Sequence, residues 1–198
     1  MASAAWADPV RPPLPVKIVV AGGFGVGKTT TVTSVSEIEP LTTEAAMTEV
    51  SAGVDDVGLL PGKHSTTVAM DFGRITLAAD LRLYLFGTPG QDRFGFMWDD
   101  LFVGALGALV VVDSRRLDDC HAALDFLETR RIPYVVGINR FDGRLAYDLD
   151  AIRWALAVAD HVPLLDFDAR DRQSVRDTLV AVAEAALVEA RTTVPEPS

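Results

Sequence analysis

A glycine-rich loop between an apolar run and a helical stretch constrains this chain more than any other feature. The run 16–21 predicts a buried strand, and the loop 22–29 after it reads G-x-x-x-x-G-K-T and opens a predicted helix over 28–38. Glycines let a backbone wrap phosphate groups with its N–H donors, and the positive end of the helix adds to the attraction. The flanking elements are those the motif requires, so we predict a phosphate-binding loop and not a chance glycine turn.

Individual positions of this loop predict separate roles. Lys28 would reach the β- and γ-phosphates of a nucleoside triphosphate, the Thr29 hydroxyl would ligate Mg²⁺, and Thr30 would bond the α-phosphate. The other predicted binding residues of the loop are Gly22, Phe24, Gly25, Val26 and Gly27. The loop alone leaves the base of the nucleotide open.

Apolar runs alternate with amphipathic stretches along the rest of the chain, which predicts strands crossed over by helices in an α/β fold. With 49% hydrophobic and 23% charged residues, the chain can bury a sizeable core. The later predicted strands are 68–77, 81–86, 105–112, 134–138 and 163–167, and the later predicted helices are 91–102, 116–130, 149–159 and 172–190. The first two of these strands flank Ala79-Asp80 and form an antiparallel hairpin. We therefore predict one domain over 15–191 with a mostly parallel six-stranded sheet and one antiparallel strand.

Two kinds of segment fall outside this alternation. The proline-containing ends, 1–14 and 192–198, predict disordered or extended tails. Segment 37–56 has six carboxylates and no basic residue, and glycines and Pro61 follow it. We predict a long loop there, and loops of that length inside a compact domain are usually functional or mobile.

Charge and cysteine usage exclude several classes of protein. Eighteen basic and twenty-eight acidic residues leave a net charge of −10, which argues against general nucleic-acid binding. Cys120 is the single cysteine and cannot form an internal disulfide, as expected in a reducing cytoplasm. No apolar run approaches the ~18 residues of a membrane span, and no secretory signal pattern is visible. The expected location is cytoplasmic.

Two further segments that follow predicted strands suit hydrolysis and guanine recognition. In Thr88-Pro89-Gly90-Gln91, the Gly90 N–H can sense a γ-phosphate and Gln91 can orient a water for in-line attack. Asn139-Arg140-Phe141-Asp142 fits the guanine-reading pattern N-[KR]-x-D. The Asp142 carboxylate can accept hydrogen bonds from two donors that guanine presents and adenine lacks.

A last segment, Asp168-Ala169-Arg170, follows the next predicted strand. The Ala169 N–H can bond guanine O6, and Arg170 completes the predicted base site. In an open α/β sheet, the carboxyl ends of the strands line one crevice, so all four motifs converge on a single nucleotide site.

These motifs, together with the stretches 19–30, 43–49 and 85–91, resemble the Ras-like small GTPases. The chain is most similar to the GTPases encoded in actinobacterial conservons and more distantly to the bacterial polarity GTPase of gliding motility. The resemblance implies a three-layer small G-protein fold, GTP/GDP and Mg²⁺ as cofactors, slow hydrolysis, and switch regions at about 39–67 and 88–103. It also implies signalling through partners, namely a roadblock-type protein and a sensor-kinase-like protein of the same gene unit, through which the protein could associate peripherally with a membrane.

The chain departs from the Ras-like pattern at the metal. Ras-like proteins generally place an aspartate directly before Thr88, where it supports Mg²⁺ through a water; here that residue is Gly87. Asp71, on the neighbouring predicted strand, is the candidate replacement, and the alternative is that it only ends a strand. Arg140 stands where lysine is usual, and its aliphatic stem can still cover the base or the loop.

A threonine before the second strand is expected to contact Mg²⁺ in the triphosphate state. Thr67 fits best, Thr66 comes next, and Thr42 and Thr43 come behind. The predicted catalytic residues are thus Gln91, Lys28 and Thr67. No arginine lies directly before Thr67, so an internal arginine finger is not evident; Arg93 is a weak candidate.

Two other functions compete with a regulatory GTPase. A metabolic P-loop enzyme, such as a nucleotide kinase, predicts an arginine-rich lid, whereas the long insertion before Thr67 is acidic. A nucleotide-binding scaffold without turnover is favoured by Gly87, but Lys28, Thr29 and Gln91 argue against it.

Overall fold

The computed structural model describes residues 12–39, 41–48, 65–90 and 97–193, with the backbone alone for 41–48, 65–69, Asp142 and Thr193. The strands are β1 (Leu14–Ala21), β2 (Leu41–Thr48), β3 (Ser65–Ala78), β4 (Leu81–Gly87), β5 (Ala105–Val112), β6 (Tyr134–Asn139) and β7 (Leu164–Phe167). The helices are α1 (Lys28–Val35), α2 (Trp98–Phe102), α3 (His121–Arg130), α4 (Leu149–Ala155) and α5 (Arg172–Thr193). Short 3₁₀ turns lie at Leu117–Cys120 and Phe141–Gly143.

Within the described ranges the strands form one sheet in the order β2-β3-β4-β1-β5-β6-β7. β3 runs antiparallel to both of its neighbours, and the other pairs are parallel. This confirms the predicted α/β class, with a mostly parallel sheet and a single antiparallel strand.

Strand β2 is a seventh strand, where the sequence predicted six strands and a loop. It pairs with β3 residue by residue, from Leu41 opposite Phe72 to Thr48 opposite Ser65. The long β3 therefore supplies backbone hydrogen-bond partners to a segment whose own composition predicts none. Pairing across the chain overrides local preference here.

Two elements extend by one or two residues beyond the predicted domain limits of 15 and 191. β1 begins at Leu14, inside the predicted tail, because it pairs with β4 from that residue onward and the Leu14 N–H donates to Asp80 O at 2.7 Å. Helix α5 continues to Thr193, past the predicted helix end at 190 and the predicted domain end at 191. The other residues of both predicted tails, 1–11 and 194–198, lie outside the described part of the chain.

Side chains alternate along β1 and divide the core between the two faces of the sheet. Ile18 and Val20 pack on the face covered by α1 and α5, whereas Val19 and Ala21 pack on the face covered by α2, α3 and α4. Strands β5 and β6 are almost entirely buried because both of their faces are covered, which explains their continuous apolar sequences. The result is the three-layer arrangement expected of a P-loop fold.

The carboxyl ends of β1, β4, β5, β6 and β7 open on one edge of this sheet. The loops that leave them are 22–27, 88–90, 113–116, 140–148 and 168–171. No helix within the described ranges is both long enough and apolar enough to cross a bilayer.

Candidate functional site

The loop between β1 and α1 has the backbone of a phosphate-binding loop. Gly22 and Gly27 have φ angles of 130° and 109°, which residues with a Cβ rarely adopt. A Cβ on Gly22 would also lie 2.2 Å from the carbonyl oxygen of Val111 on β5. The first turn of α1 has no side-chain cap on its N–H groups. These donors and the helix dipole therefore suit an anion.

Lys28 is a buried cation folded over this loop. Its Nζ donates to Gly22 O at 2.9 Å and to Gly23 O at 2.5 Å, and the residue is 7% exposed. Burial lowers the pKa of Lys28 to about 8, although the nearby Asp71 carboxylate acts in the opposite direction. A Cβ on Gly90 would lie 2.8 Å from Nζ. The predicted phosphate-binding lysine and the predicted γ-phosphate sensor are thus neighbours.

Thr29 and Asp71 bring two oxygen-bearing side chains together beside the loop. Thr29 Oγ1 donates to Asp71 Oδ2 at 2.6 Å. A Cβ on Gly87 would lie 3.1 Å from both Cβ and Oδ2 of Asp71, so the Asp71 side chain occupies the space that a side chain at 87 would need. A hydroxyl and a carboxylate suit Mg²⁺, which is commonly held by one or two protein oxygens together with substrate phosphates. The described residues include no cluster of three or more metal-binding His, Cys, Asp or Glu side chains.

Asn139 connects two of the predicted motifs to each other. The side chain is 5% exposed; its Nδ2 donates to Val26 O at 3.0 Å, and its Oδ1 accepts from the Ala169 N–H at 3.1 Å. The P-loop, the end of β6 and the loop after β7 are therefore held together by one amide. The Ala169 N–H, predicted to bond guanine O6, is engaged with Asn139 in this arrangement.

The remaining predicted base-site residues surround this connection. Arg140 Nε lies 3.4 Å from Asp166 Oδ2, and Arg170 pairs with Asp168 at 3.0 Å. Asp142 follows β6 within the 3₁₀ turn, and its side chain lies outside what the structure describes. Thr30, in the first turn of α1, is half-buried.

The structure does not bring Thr67 to the Thr29–Asp71 pair. Thr67 and Asp71 are four residues apart on β3, about 13 Å along an extended strand. Two ligands of one Mg²⁺ each bind at about 2.1 Å, so these two positions are too far apart to share an ion in this conformation. The residue opposite Asp71 on β2 is instead Thr42. Gln91 and Arg93 lie outside the described ranges.

Sequence reasoning did not identify two charged residues in the loop after β5. Asp113, 2% exposed at its side chain, accepts a bidentate pair from Arg115, whose hydrogen bonds lower the pKa of Asp113. Arg116 Nη2 donates to Phe24 O in the P-loop at 3.0 Å, across 92 residues of sequence. In the sequence, only their position directly after a buried parallel strand could have indicated that Asp113 and Arg116 lie near the site.

A glycine loop between strand and helix, a lysine folded over it, and a threonine beside a carboxylate define a P-loop nucleotide-binding protein. Residues 20–193 match a family model described as conserved hypothetical ATP binding protein, and the chain belongs to that family. An uncharacterized protein of Methanocaldococcus jannaschii is 34% identical over 129 residues, which cover 64% of this chain and 71% of that protein. The family description supports nucleotide binding; the likeness to Ras-like and conservon GTPases stays a prediction.

Proposed function

We propose that this protein is a guanine-nucleotide-dependent switch that binds GTP or GDP with Mg²⁺, hydrolyses GTP slowly and acts through a partner protein. The observation that carries the proposal is the buried Asn139 amide between Val26 O and the Ala169 N–H. This amide fixes the end of β6, three residues before Asp142, against the P-loop. A base attached to a nucleotide in the P-loop would then meet the residues of the predicted guanine motif.

The choice of base follows from hydrogen-bond chemistry at Asp142. A carboxylate accepts hydrogen bonds only, and guanine offers it the N1–H and the N2 amino group. Adenine presents an acceptor at N1, which a carboxylate repels. Guanine is therefore the base that this motif favours, although the family description refers to ATP.

Lys28, Thr29 and Asp71 would carry the phosphate and metal chemistry. The Lys28 ammonium would compensate phosphate charge, and the Thr29 and Asp71 oxygens would hold Mg²⁺. When bound, Mg²⁺ neutralises charge on the β- and γ-phosphates. Gln91 would orient the attacking water.

The switch would involve the antiparallel pair of strands β2 and β3. Thr67 would reach the metal only if the first residues of β3 leave their pairing with β2, since Ala46 lies opposite Thr67 in the present register. A change in nucleotide would then change the surface formed by 39–67 and 88–103, which a roadblock-type or sensor-kinase-like partner in the cytoplasm would read.

The family description supports one alternative, an ATP-using P-loop enzyme. This alternative predicts that ATP binds at least as tightly as GTP. A third function, a nucleotide-binding scaffold without turnover, predicts tight binding of either nucleotide and no release of phosphate.

The test is a competition between GTP, ATP and XTP for the nucleotide-free protein. We expect GTP to bind at least tenfold more tightly than ATP, and Asp142→Asn to weaken GTP at least tenfold, given ~1.5 to 3 kcal/mol for each charge-assisted hydrogen bond. XTP should recover part of the affinity that Asp142→Asn loses for GTP. Xanthine has a carbonyl acceptor at position 2, where guanine has an amino donor, and the new asparagine amide can donate to that acceptor. Asp160→Asn, which changes an exposed carboxylate in the same way, is the control.

Equal affinities of the unchanged protein for ATP and GTP would contradict guanine selectivity. If ATP binds more tightly and is hydrolysed with multiple turnovers, the protein is an ATP-using enzyme. If neither triphosphate is hydrolysed, the scaffold is the function that remains.

A further inference from the structure

Arg116 lies against the outer side of the P-loop. Its Nη2 donates to Phe24 O at 3.0 Å, and a Cβ on Gly25 would lie 3.6 Å from the same nitrogen. Phe24 and Gly25 are the central residues of the loop that would wrap the phosphates. The guanidinium group therefore lies beside the phosphate-binding backbone.

Two carboxylates hold Arg116 in this position. Nη1 lies 3.2 Å from Asp119 Oδ2, and Nε lies 3.7 Å from Asp113 Oδ2. Asp119 itself packs on the P-loop, because a Cβ on Gly23 would lie 2.5 Å from the Asp119 Cβ. The arginine side chain remains 48% exposed. It is thus oriented by the protein and still open to a ligand.

A cavity of about 430 Å³ is lined both by Arg116 and by Gly90, the predicted γ-phosphate sensor. Its wall includes Gly23, Phe24, Gly90, Arg116 and Asp119. A Cβ on Gly90 would lie 2.9 Å from the Phe24 Cα and 2.8 Å from Lys28 Nζ. Arg116 and Lys28 therefore donate to adjacent backbone carbonyls of the P-loop, and Gly90, the predicted γ-phosphate sensor, lies against the same backbone.

We propose that Arg116 is a catalytic arginine supplied by the chain itself for hydrolysis of the terminal phosphate, an inference that rests on the proposed nucleotide site. A water oxygen forms a bond to the γ-phosphorus, and the bond from that phosphorus to the β–γ bridging oxygen breaks. The electron pair leaves on the diphosphate, and the protons of the water end on inorganic phosphate and solvent. The planar guanidinium, with its several N–H donors, contacts the oxygens on which negative charge accumulates.

The acidic neighbours of Arg116 would also keep turnover slow in the isolated protein. Asp113 and Asp119 share the positive charge of Arg116, so the phosphate receives only part of it. An arginine finger contributes ~10³ to 10⁵ in rate when fully engaged. We therefore expect a smaller contribution from Arg116, of at least tenfold.

The competing interpretation is a structural clamp that only fixes the Phe24 carbonyl. A clamp would act on nucleotide affinity and on folding, whereas a catalytic arginine would act on the transition state. The hydrolysis rate and the GDP affinity of Arg116→Ala and Arg116→Lys, measured beside a control at the exposed Arg191, separate these two roles.

The experiment is single-turnover hydrolysis of bound GTP by the full chain, together with GDP affinity and aluminium fluoride capture. We expect Arg116→Ala to hydrolyse at least tenfold more slowly than the unchanged protein and to bind GDP within threefold of it. The GDP complex of the variant should no longer capture aluminium fluoride, and added guanidinium ion should restore part of the rate. Arg116→Lys should also be slow, since an ammonium lacks the planar donor set, and Arg191→Ala should match the unchanged protein.

An unchanged hydrolysis rate in both Arg116 variants would overturn the inference, as would a loss of GDP affinity without any change in the rate of bound nucleotide. Arg116→Lys keeps the charge and serves if the alanine variant does not fold. If the protein hydrolyses ATP and not GTP, the base assignment fails, and the same series run with ATP still tests Arg116. If the unchanged protein binds neither triphosphate, the proposed function fails; if it binds without hydrolysis or fluoride capture, the catalytic role fails.

Discussion

Thr29 Oγ1 donates a hydrogen bond to Asp71 Oδ2 at 2.6 Å, although 42 residues separate the two. The carboxylate comes from β3 and occupies the space beside Gly87, where the neighbouring strand β4 ends. A Cβ at 87 would lie 3.1 Å from the Asp71 side chain, so that side chain would have to shift slightly. Gly87 on β4 provides no carboxylate, and the Asp71 carboxylate on β3 lies beside that position instead.

Removal of Asp71 should weaken the metal and spare the nucleotide. We expect Asp71→Ala to raise the Mg²⁺ concentration needed for tight GDP binding at least tenfold, because one anionic oxygen ligand is lost. Affinity without Mg²⁺ should change little. Nucleotide dissociation rates measured across a Mg²⁺ titration check both parts.

The exchanged pair Asp71→Ala with Gly87→Asp is the matched control for this role. It returns a carboxylate to the same space from β4, so we expect the Mg²⁺ requirement to return toward its original value. Gly87→Asp alone should destabilise the protein, since the new side chain would meet the Asp71 carboxylate. A Mg²⁺ titration that Asp71→Ala leaves unaltered would reject Asp71 as a ligand.

Nucleotide binding should take up a proton in alkaline solution. Burial lowers the pKa of Lys28 to about 8 in the free protein, and bound phosphates would raise it again. At pH 8.5 about 0.75 proton should be taken up on binding, and affinity should fall by up to tenfold per pH unit above 8. Calorimetry in buffers of different ionisation enthalpy measures this uptake.

Lys28→Gln should lose the greater part of that uptake together with much of the affinity. Ionisation of the nucleotide base is the same with either protein, so it cancels when the proton uptake of Lys28→Gln is compared with that of the unchanged protein. In the free protein the lowered pKa acts on stability in the other direction: between pH 8 and 10.5 the unfolded state binds more protons, so stability from this group rises with pH. Equal proton uptake by both proteins would contradict the assignment.

Truncation of Asn139 should affect both folding and binding. Asn139→Ala leaves Val26 O and the Ala169 N–H without their partner, and an unsatisfied buried group costs ~1 to 3 kcal/mol. We expect a clear fall in the urea midpoint and at least tenfold weaker nucleotide binding. Gln173→Ala removes an amide that bonds Asp177 on the surface and should change stability by less than about 0.5 kcal/mol.

Hydrogen exchange should distinguish the two nucleotide states in the switch regions. The first residues of β3, 65–70, pair with β2 only, since pairing with β4 begins at Phe72. We expect protection over 39–70 and 88–103 to differ between GDP and a non-hydrolysable GTP analogue, because the γ-phosphate and Mg²⁺ add contacts there. Strand β5, buried between β1 and β6, should be unchanged. Identical protection in both states would contradict a switch.

Features that are encoded in short stretches of the chain could be predicted before the structure was known. The P-loop is a contiguous motif, and the apolar periodicity of the surrounding elements predicts the strands and helices that position it. The motifs that follow the strands could be assigned to one crevice, because the carboxyl ends of parallel strands lie at the same edge of the sheet. Guanine as the base and Gln91 as the water-orienting residue are predictions of the same local kind.

Tertiary structure alone decided which distant residues meet. Strand β2 forms because β3 offers it a partner, Asp71 reaches Thr29 through the β3–β4 pairing, and Arg116 reaches Phe24 across 92 residues. Hydrophobic periodicity reports which face of an element is buried, and it carries no information about register between strands or about which loop an exposed arginine will contact. Those contacts are selected by the packing of the whole sheet, where the free energy of pairing and burial outweighs local preference.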